Sequence, residues 1–297
     1  MRVGIDARLD ATGIGRYVTH LVQGLAAVDT TTEFVLFLRA ERYAAELELG
    51  ANVEKRLADI RWYSLAEQVR FPALIRSAGV DLVHFPHFNV PLAYRGPYVV
   101  TIHDLTHELR RKLPGSAPDP ARSRAKSLAY KLVLRKAVSR ARQIIAVSET
   151  TKRAIVETLA VAPEQITVTH EGVDTDLFDA PDPGALARLG VRSPYFLYVG
   201  SAFPHKNLGR LLEAFARAGD GHQLVLAGDH GAYRSELVAR ALELGVGDRV
   251  VLTGAISDAE LAALYRGATA LVLVSLAEGF GLPGLEAMGL GVPVLAS

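Results

Sequence analysis

Short apolar runs rich in β-branched and aromatic residues recur along the chain, separated by longer segments with apolar positions every three or four residues. Residues 3–5, 34–38, 82–85, 98–102, 144–147 and 166–168 form the first set of such runs. They are three to five residues long and lack polar alternation, the mark of strands buried on both faces of a parallel sheet. The segments 15–27 and 128–141 carry helical periodicity between them. Strand and helix alternate, so the spacing predicts a doubly wound α/β sheet.

The pattern then breaks. Phe178-Asp179-Ala180-Pro181-Asp182-Pro183-Gly184 combines two prolines, a glycine and short polar residues, the chemistry of a connecting segment. Beyond it the pattern restarts, with strands expected at 196–199, 224–227, 250–252, 271–274 and 292–295. Helices are expected at 207–218, 233–244, 258–265 and 283–288. The reading is two Rossmann-like domains, 1–180 and 190–297, joined by one linker that serves as a hinge. The last strand, ending Val294-Leu295-Ala296-Ser297, has no helix after it. A full domain of this class has about six strands with helices on both faces, so the second domain is expected to be incomplete. The 297-residue form is accordingly expected to be less stable and less active than an extended one.

Composition narrows the class. A 49% hydrophobic content suits a chain that buries a sizeable core. A net charge of +1 favours no nucleic-acid partner. The chain has no cysteine, which removes disulfides and thiolate metal sites. No uncharged run approaches the roughly 18 residues of a membrane span, and the reading is a cytoplasmic protein. Charge is nevertheless uneven. Between Arg110 and Arg142 eleven basic residues stand against Asp119 alone, and Leu128, Leu132, Val133 and Ala137 share a helical face. A basic amphipathic helix suits peripheral contact with the anionic inner face of a membrane; a solvated helix face is the plainer alternative.

Ligands of open α/β sheets bind at the carboxyl ends of strands, which directs attention to four segments. Glu278-Gly279-Phe280-Gly281-Leu282-Pro283-Gly284-Leu285-Glu286 follows an expected strand. Its glycines permit close backbone approach and Pro283 suits a first helical turn. The amides of Gly281 and Leu282 would then face a phosphate along the helix dipole, with Glu286 placed to take ribose hydroxyls and Glu278 to reach a sugar. Two exposed acids flanking a turn would read the same. Gly200-Ser201-Ala202-Phe203-Pro204-His205-Lys206-Asn207 follows another strand, and Lys206 stands where a helix begins. That is the wrong end of the dipole for a cation unless an anion binds there. His103, in Ile102-His103-Asp104, closes a strand and can position a sugar or move a proton. His84 and His87 close another. Gly13-Ile14-Gly15-Arg16-Tyr17-Val18 has Val18 where a dinucleotide fingerprint needs its third glycine, which disfavours nicotinamide and flavin cofactors.

In their order these motifs resemble the family-four group of retaining glycosyltransferases with the GT-B fold. The set comprises Gly13–Tyr17, His103-Asp104-Leu105, Val147-Ser148-Glu149, Gly172-Val173-Asp174, Pro204–Leu208, and Glu278 and Glu286 with seven residues between them, among them Gly279-Phe280-Gly281. The likeness is greatest to mannosyltransferase-type members of surface-polysaccharide pathways. It implies two Rossmann-like domains facing a cleft and transfer of a sugar, mannose in that subgroup, from a nucleotide diphosphate to a glycan or lipid-linked acceptor. It implies catalytic roles for His103, Lys206 and Glu278. Donor binding falls to Gly15, Gly200, Ser201, His205, Lys206, Glu278, Phe280, Gly281, Leu282 and Glu286. No cofactor and no metal are implied, since the lysine and the helix dipole offset the leaving charge. His205 stands where the family commonly has arginine, and Glu171 where it has asparagine. The rival readings are a nucleotide-sugar epimerase of the same architecture and an inactive nucleotide-sugar-binding fragment.

Overall fold

The computed structural model describes residues 1–9, 13–44, 49–106, 124–173, 179–219 and 221–297. Among them, two units each carry one sheet. The first takes the described residues up to Leu105 and from Arg124 to Glu171, and the second takes Thr106 and those from Gly172 onward.

The first sheet holds β1 (Arg2–Asp6), β2 (Glu33–Leu38), β3 (Val53–Leu57), β4 (Leu82–Phe85), β5 (Tyr98–Ile102), β6 (Gln143–Ala146) and β7 (Ile166–Val168). Its order is β3-β2-β1-β4-β5-β6-β7, and every pair is parallel. The second sheet holds β8 (Tyr195–Val199), β9 (Gln223–Ala227), β10 (Val250–Gly254), β11 (Ala270–Leu273) and β12 (Val294–Ala296), in the parallel order β10-β9-β8-β11-β12. Both orders reverse beside the first strand of the unit, between β1 and β4 and between β8 and β11. That reversal is the switch point of a Rossmann sheet, where the connections leave for opposite faces and a crevice opens.

Burial follows the runs. The side chains of Val35, Phe37, Val83, Val100 and Ile144 are fully or almost fully buried in the first sheet, as are Leu197, Val225 and Leu271 in the second. β3 is the strand that hydrophobic runs do not reveal. Its sequence, Val-Glu-Lys-Arg-Leu, has three charged residues in a row, which an edge strand partly open to water can carry. At the other end of the second sheet, β12 is also an edge strand and Leu295 is half exposed.

The helix Arg124–Arg140 buries Tyr130, Leu134, Ala137 and Val138. Of the face expected from sequence only Ala137 belongs to that row; Leu128 and Leu132 are 70% and 58% exposed. Both apolar rows have helical spacing, and contact with the sheet selects between them. Arg110, Arg111, Lys112 and Arg122 of the basic stretch lie outside the described residues. The connecting chemistry before residue 190 is partly absorbed into the second unit. The Asp182 amide donates to the Ala259 carbonyl at 3.0 Å, Arg188 pairs with Asp182 and Glu260, and Ala185 and Val191 are buried.

A buried ion cluster holds the carboxyl end of β1. Arg8 is buried, with Nε and Nη2 each 2.8 Å from the Asp6 carboxylate and Nη2 2.8 Å from Glu67 Oε1. Its guanidinium lies 3.6 Å from the centre of the Phe71 ring, and Asn89 donates to Glu67 at 3.0 Å. Removing one member would strand a buried charge at a cost of about 3–5 kcal/mol.

Candidate functional site

In the second unit the residues after β8 and after β11 converge at the switch point. After β8 the chain passes Gly200, whose φ of +142° suits glycine. Tyr198 donates to the Ser201 carbonyl at 2.7 Å across this turn. Burial, with the Glu278 charge adding to it, pushes the Tyr198 hydroxyl well above its usual range. Pro204, His205 and Lys206 form one turn of 3-10 helix. Asn207, left-handed at φ +61°, then opens the helix Leu208–Arg217. Two hydrogen bonds bind this turn to the segment after β11: the Leu276 amide donates to the His205 carbonyl at 2.8 Å, and Asn207 Nδ2 to the Val274 carbonyl at 3.2 Å.

That stitching delivers Lys206 to Glu278. Lys206 Nζ donates to Glu278 Oε1 at 2.6 Å, and Ser275 Oγ donates to the same oxygen at 2.6 Å. The two side chains are 20% and 32% exposed, so the pair is partly desolvated and still reachable by a ligand. His205 stacks on Phe203, with ring centroids 6.0 Å apart.

Beyond Glu278 the chain passes Gly279 and Phe280 to Gly281, left-handed at φ +90°, which caps the helix Leu282–Gly289. Gly281 brings no side chain of its own to the first-turn amides, and Pro283 lies in that turn. The amide groups at this end carry the positive pole of the helix dipole. Glu286 is held by Tyr265, whose hydroxyl donates to Oε2 at 2.7 Å from the helix Asp258–Gly267. The carboxyl ends of β8, β9 and β10 are packed closely here. A Cβ on Gly228 would lie 2.5 Å from the Gly200 carbonyl oxygen.

The sequence-expected residues of the first unit lie at the same level of their own sheet. Gly15 is buried inside the helix Gly13–Val28. Two residues on, Tyr17 sets its ring against His103, edge to face at 4.8 Å. His103 follows β5; its Nδ1 lies 2.7 Å from Glu171 Oε1 and its Nε2 2.9 Å from the Pro86 carbonyl. His84 on β4 is buried, with Nε2 2.8 Å from Thr101 Oγ1. Burial, and to a lesser degree the charge of His103, lowers its pKa to about 4. Among the described residues no group of three carboxylates or imidazoles forms a metal cage. None of their helices is long and apolar enough to cross a membrane.

Ser275, Tyr265 and Tyr198 escape sequence reasoning. Ser275 and Tyr198 are ordinary polar residues three and two positions before Glu278 and Gly200, and Tyr265 reaches Glu286 from a different helix.

Comparison with known proteins sets this geometry in context. The family model described as Glycosyltransferase Family 4 matches residues 11–177, and that described as Glycosyl transferases group 1 matches residues 188–297. The O-antigen chain mannosyltransferase RfbU of Salmonella typhimurium is 29% identical over 242 residues, which cover 82% of this chain and 63% of the relative. The chain thus spans less than two thirds of that relative's length. Sucrose-phosphate synthase from Thermosynechococcus elongatus superposes with a TM-score of 0.75 at 22% identity, over 100% of this chain and 81% of the other. HepE from Anabaena, solved with UDP and glucose, gives 0.71 at 20% identity, over 100% and 80%. These likenesses show the GT-B fold.

Proposed function

The chain belongs to Glycosyltransferase Family 4, and from that premise we propose that it transfers a sugar, with retention, from a nucleotide diphosphate to a glycan or lipid-linked acceptor. The observation that carries this reading is the meeting of Lys206 and Glu278 at the switch point of the second sheet, beside the glycine-capped helix that bears Glu286. A diphosphate at this place meets one ammonium and the amides of Gly281 and Leu282, and Gly200, without a side chain, lets it approach the turn that leads into Ser201. Glu286, oriented by Tyr265, accepts from ribose hydroxyls. Glu278 accepts from the sugar, and His205 and Phe280 line the approach. Leaving-group charge grows as the glycosidic bond to the diphosphate breaks. Donors already aimed at that charge lower the barrier without reorganisation.

Lys206 and the helix amides supply positive potential with no metal ion, so the reaction is expected to need none. Gly15 and His103 are the first unit's candidates for handling the donor. The relative from Salmonella typhimurium is named for mannose transfer to an O-antigen chain, and HepE was solved with UDP and glucose. On that support the donor is GDP-mannose or a UDP-hexose, the pathway surface polysaccharide or glycolipid synthesis, and the site of action the cytoplasm. Lys131, Arg135, Lys136 and Arg140, beside the exposed Leu128 and Leu132, give one helix the character of a peripheral anchor to anionic lipid.

Titration calorimetry with GDP and UDP, followed by turnover with GDP-mannose and UDP-glucose, tests the reading. At least one nucleotide should bind saturably, and Lys206→Ala should weaken it about 10- to 100-fold, the value of one charge-assisted contact to phosphate. Absence of saturable binding by both nucleotides overturns the proposal.

A further inference from the structure

The His103 ring is engaged at both nitrogens, and both partners are acceptors. The Pro86 carbonyl oxygen, 2.9 Å from Nε2, has only lone pairs, so Nε2 carries a hydrogen. The Glu171 carboxylate, 2.7 Å from Nδ1, also accepts, so a second proton lies between Nδ1 and Oε1. Neither nitrogen keeps a free lone pair, and the ring has no basic site to offer a sugar hydroxyl. What remains is a ring fixed in place. Tyr17 packs against it at 88°, and Thr151 Oγ1 donates to the His103 carbonyl at 3.1 Å. Both side chains of the pair are largely buried, 17% exposed for His103 and 9% for Glu171.

Glu171 comes from a different part of the unit, the segment after β7, and is its last residue before Gly172. We propose that Glu171 is a positioning residue for sugar transfer, holding the His103 ring in one orientation with both nitrogens occupied. The proposal rests on the reading of His103 as a donor-site residue. Other groups near the ring cannot replace Glu171. The Tyr17 hydroxyl is 3.4 Å from Thr101 Oγ1, and Thr101 also meets His84 Nε2. Without Glu171 the Nδ1 edge loses its buried partner, and only the Pro86 contact and the packing of Tyr17 still oppose rotation about the Cβ–Cγ bond.

The test uses the full chain with Glu171→Ala and Glu171→Gln. Glutamine keeps the length of the side chain, and its amide can donate to Nδ1 of a neutral ring whose Nε2 still donates to Pro86. Long-range proton–nitrogen spectra should show no unprotonated nitrogen on His103 in the wild type and an unprotonated Nδ1 in both variants, hydrogen-bonded in Glu171→Gln and free in Glu171→Ala. The kcat for whichever of GDP-mannose and UDP-glucose turns over should fall about 10- to 100-fold in Glu171→Ala, the usual consequence of removing the group that orients a functional imidazole. KM should move less than kcat, and Glu171→Gln should restore most of the loss. An Ala variant with wild-type kcat, a Gln variant no better than Ala, or a free-lone-pair signal from wild-type His103 overturns the proposal. A wild-type chain that neither binds nor turns over either donor sinks the transferase reading, and the positioning role with it. Wild-type turnover matched by the Ala variant sinks the positioning role alone.

Discussion

Replacing Glu278 by Gln should tighten the binding of a bare nucleoside diphosphate and loosen the grip on the nucleotide-sugar relative to it. Without ligand, Lys206 Nζ is held by Glu278 Oε1 at 2.6 Å, so a diphosphate must compete with a carboxylate for its cation. At this distance the gross attraction is about 6 kcal/mol at an effective dielectric constant near 20. Water at the partly exposed pair and the lost hydration of both ions offset most of it. The net coupling lies above the 0.2–1 kcal/mol typical of open surface pairs and near the lower end for hydrogen bonds to charged groups, about 1–2 kcal/mol. Glutamine keeps the oxygen that accepts from Ser275 and removes the charge. Since 1.4 kcal/mol is tenfold, the affinity for GDP or UDP should rise about 5- to 30-fold. The nucleotide-sugar gains the same freed lysine but exchanges a charged acceptor for a weaker neutral one at its sugar hydroxyls. Its affinity relative to the bare diphosphate should therefore fall. Calorimetric titration of both ligands into both proteins measures the ratio, and repeating it on a Lys206→Met background should abolish the gain. A Glu278→Gln protein that binds the diphosphate no better than wild type would refute the competition. The same competition has a mechanistic use. On the proposed reaction, Glu278 would be free to retake Lys206 once the sugar has left, which would lower the hold on the product nucleotide.

Other outcomes follow from the same geometry. Lys206→Ala should lower kcat roughly 10²- to 10³-fold, the usual loss for one preorganised electrostatic donor, with a melting temperature close to wild type; equal turnover would remove the assignment. Chelator should leave turnover unchanged, and activity that disappears with EDTA and returns with magnesium or manganese would overturn the metal-free reading. His84 is held well below the usual histidine range by burial first and the His103 charge second, near 4. The unfolded state takes up this proton first, so the stability is fully present above about pH 6.5 and is lost as pH falls from there towards 4. The loss amounts to about 3 kcal/mol. Denaturant melts across that window should show it, and His84→Gln should flatten it. Gly228→Ala combines φ +129° with a Cβ 2.5 Å from the Gly200 carbonyl oxygen; a loss of more than about 2 kcal/mol is expected by thermal melting, and a neutral effect would show that the two turns are free to move apart.

The chain's own pattern determined the two sheets. Unbroken apolar runs can satisfy both faces only inside a parallel sheet, and the runs at 34–38 and 224–227 became strands buried along almost their whole length. The same local logic located Gly281 and Pro283 at a helix start, because a left-handed cap and a fixed φ are properties of single residues. Tertiary structure decided what periodicity leaves open. Two apolar rows on the helix Arg124–Arg140 have the right spacing, and the sheet buried Tyr130 and Leu134 while leaving Leu128 and Leu132 in water. The edge strand Val53–Leu57 carries no signal of its own, since its pairing with β2 supplies what its side chains do not. The partners of the candidate site lie furthest from sequence. Lys206 and Glu278 are 72 residues apart, and His103 and Glu171 are 68 apart. Charge attraction between side chains acts over a few ångströms, and only the order of strands in each sheet brings those residues within it.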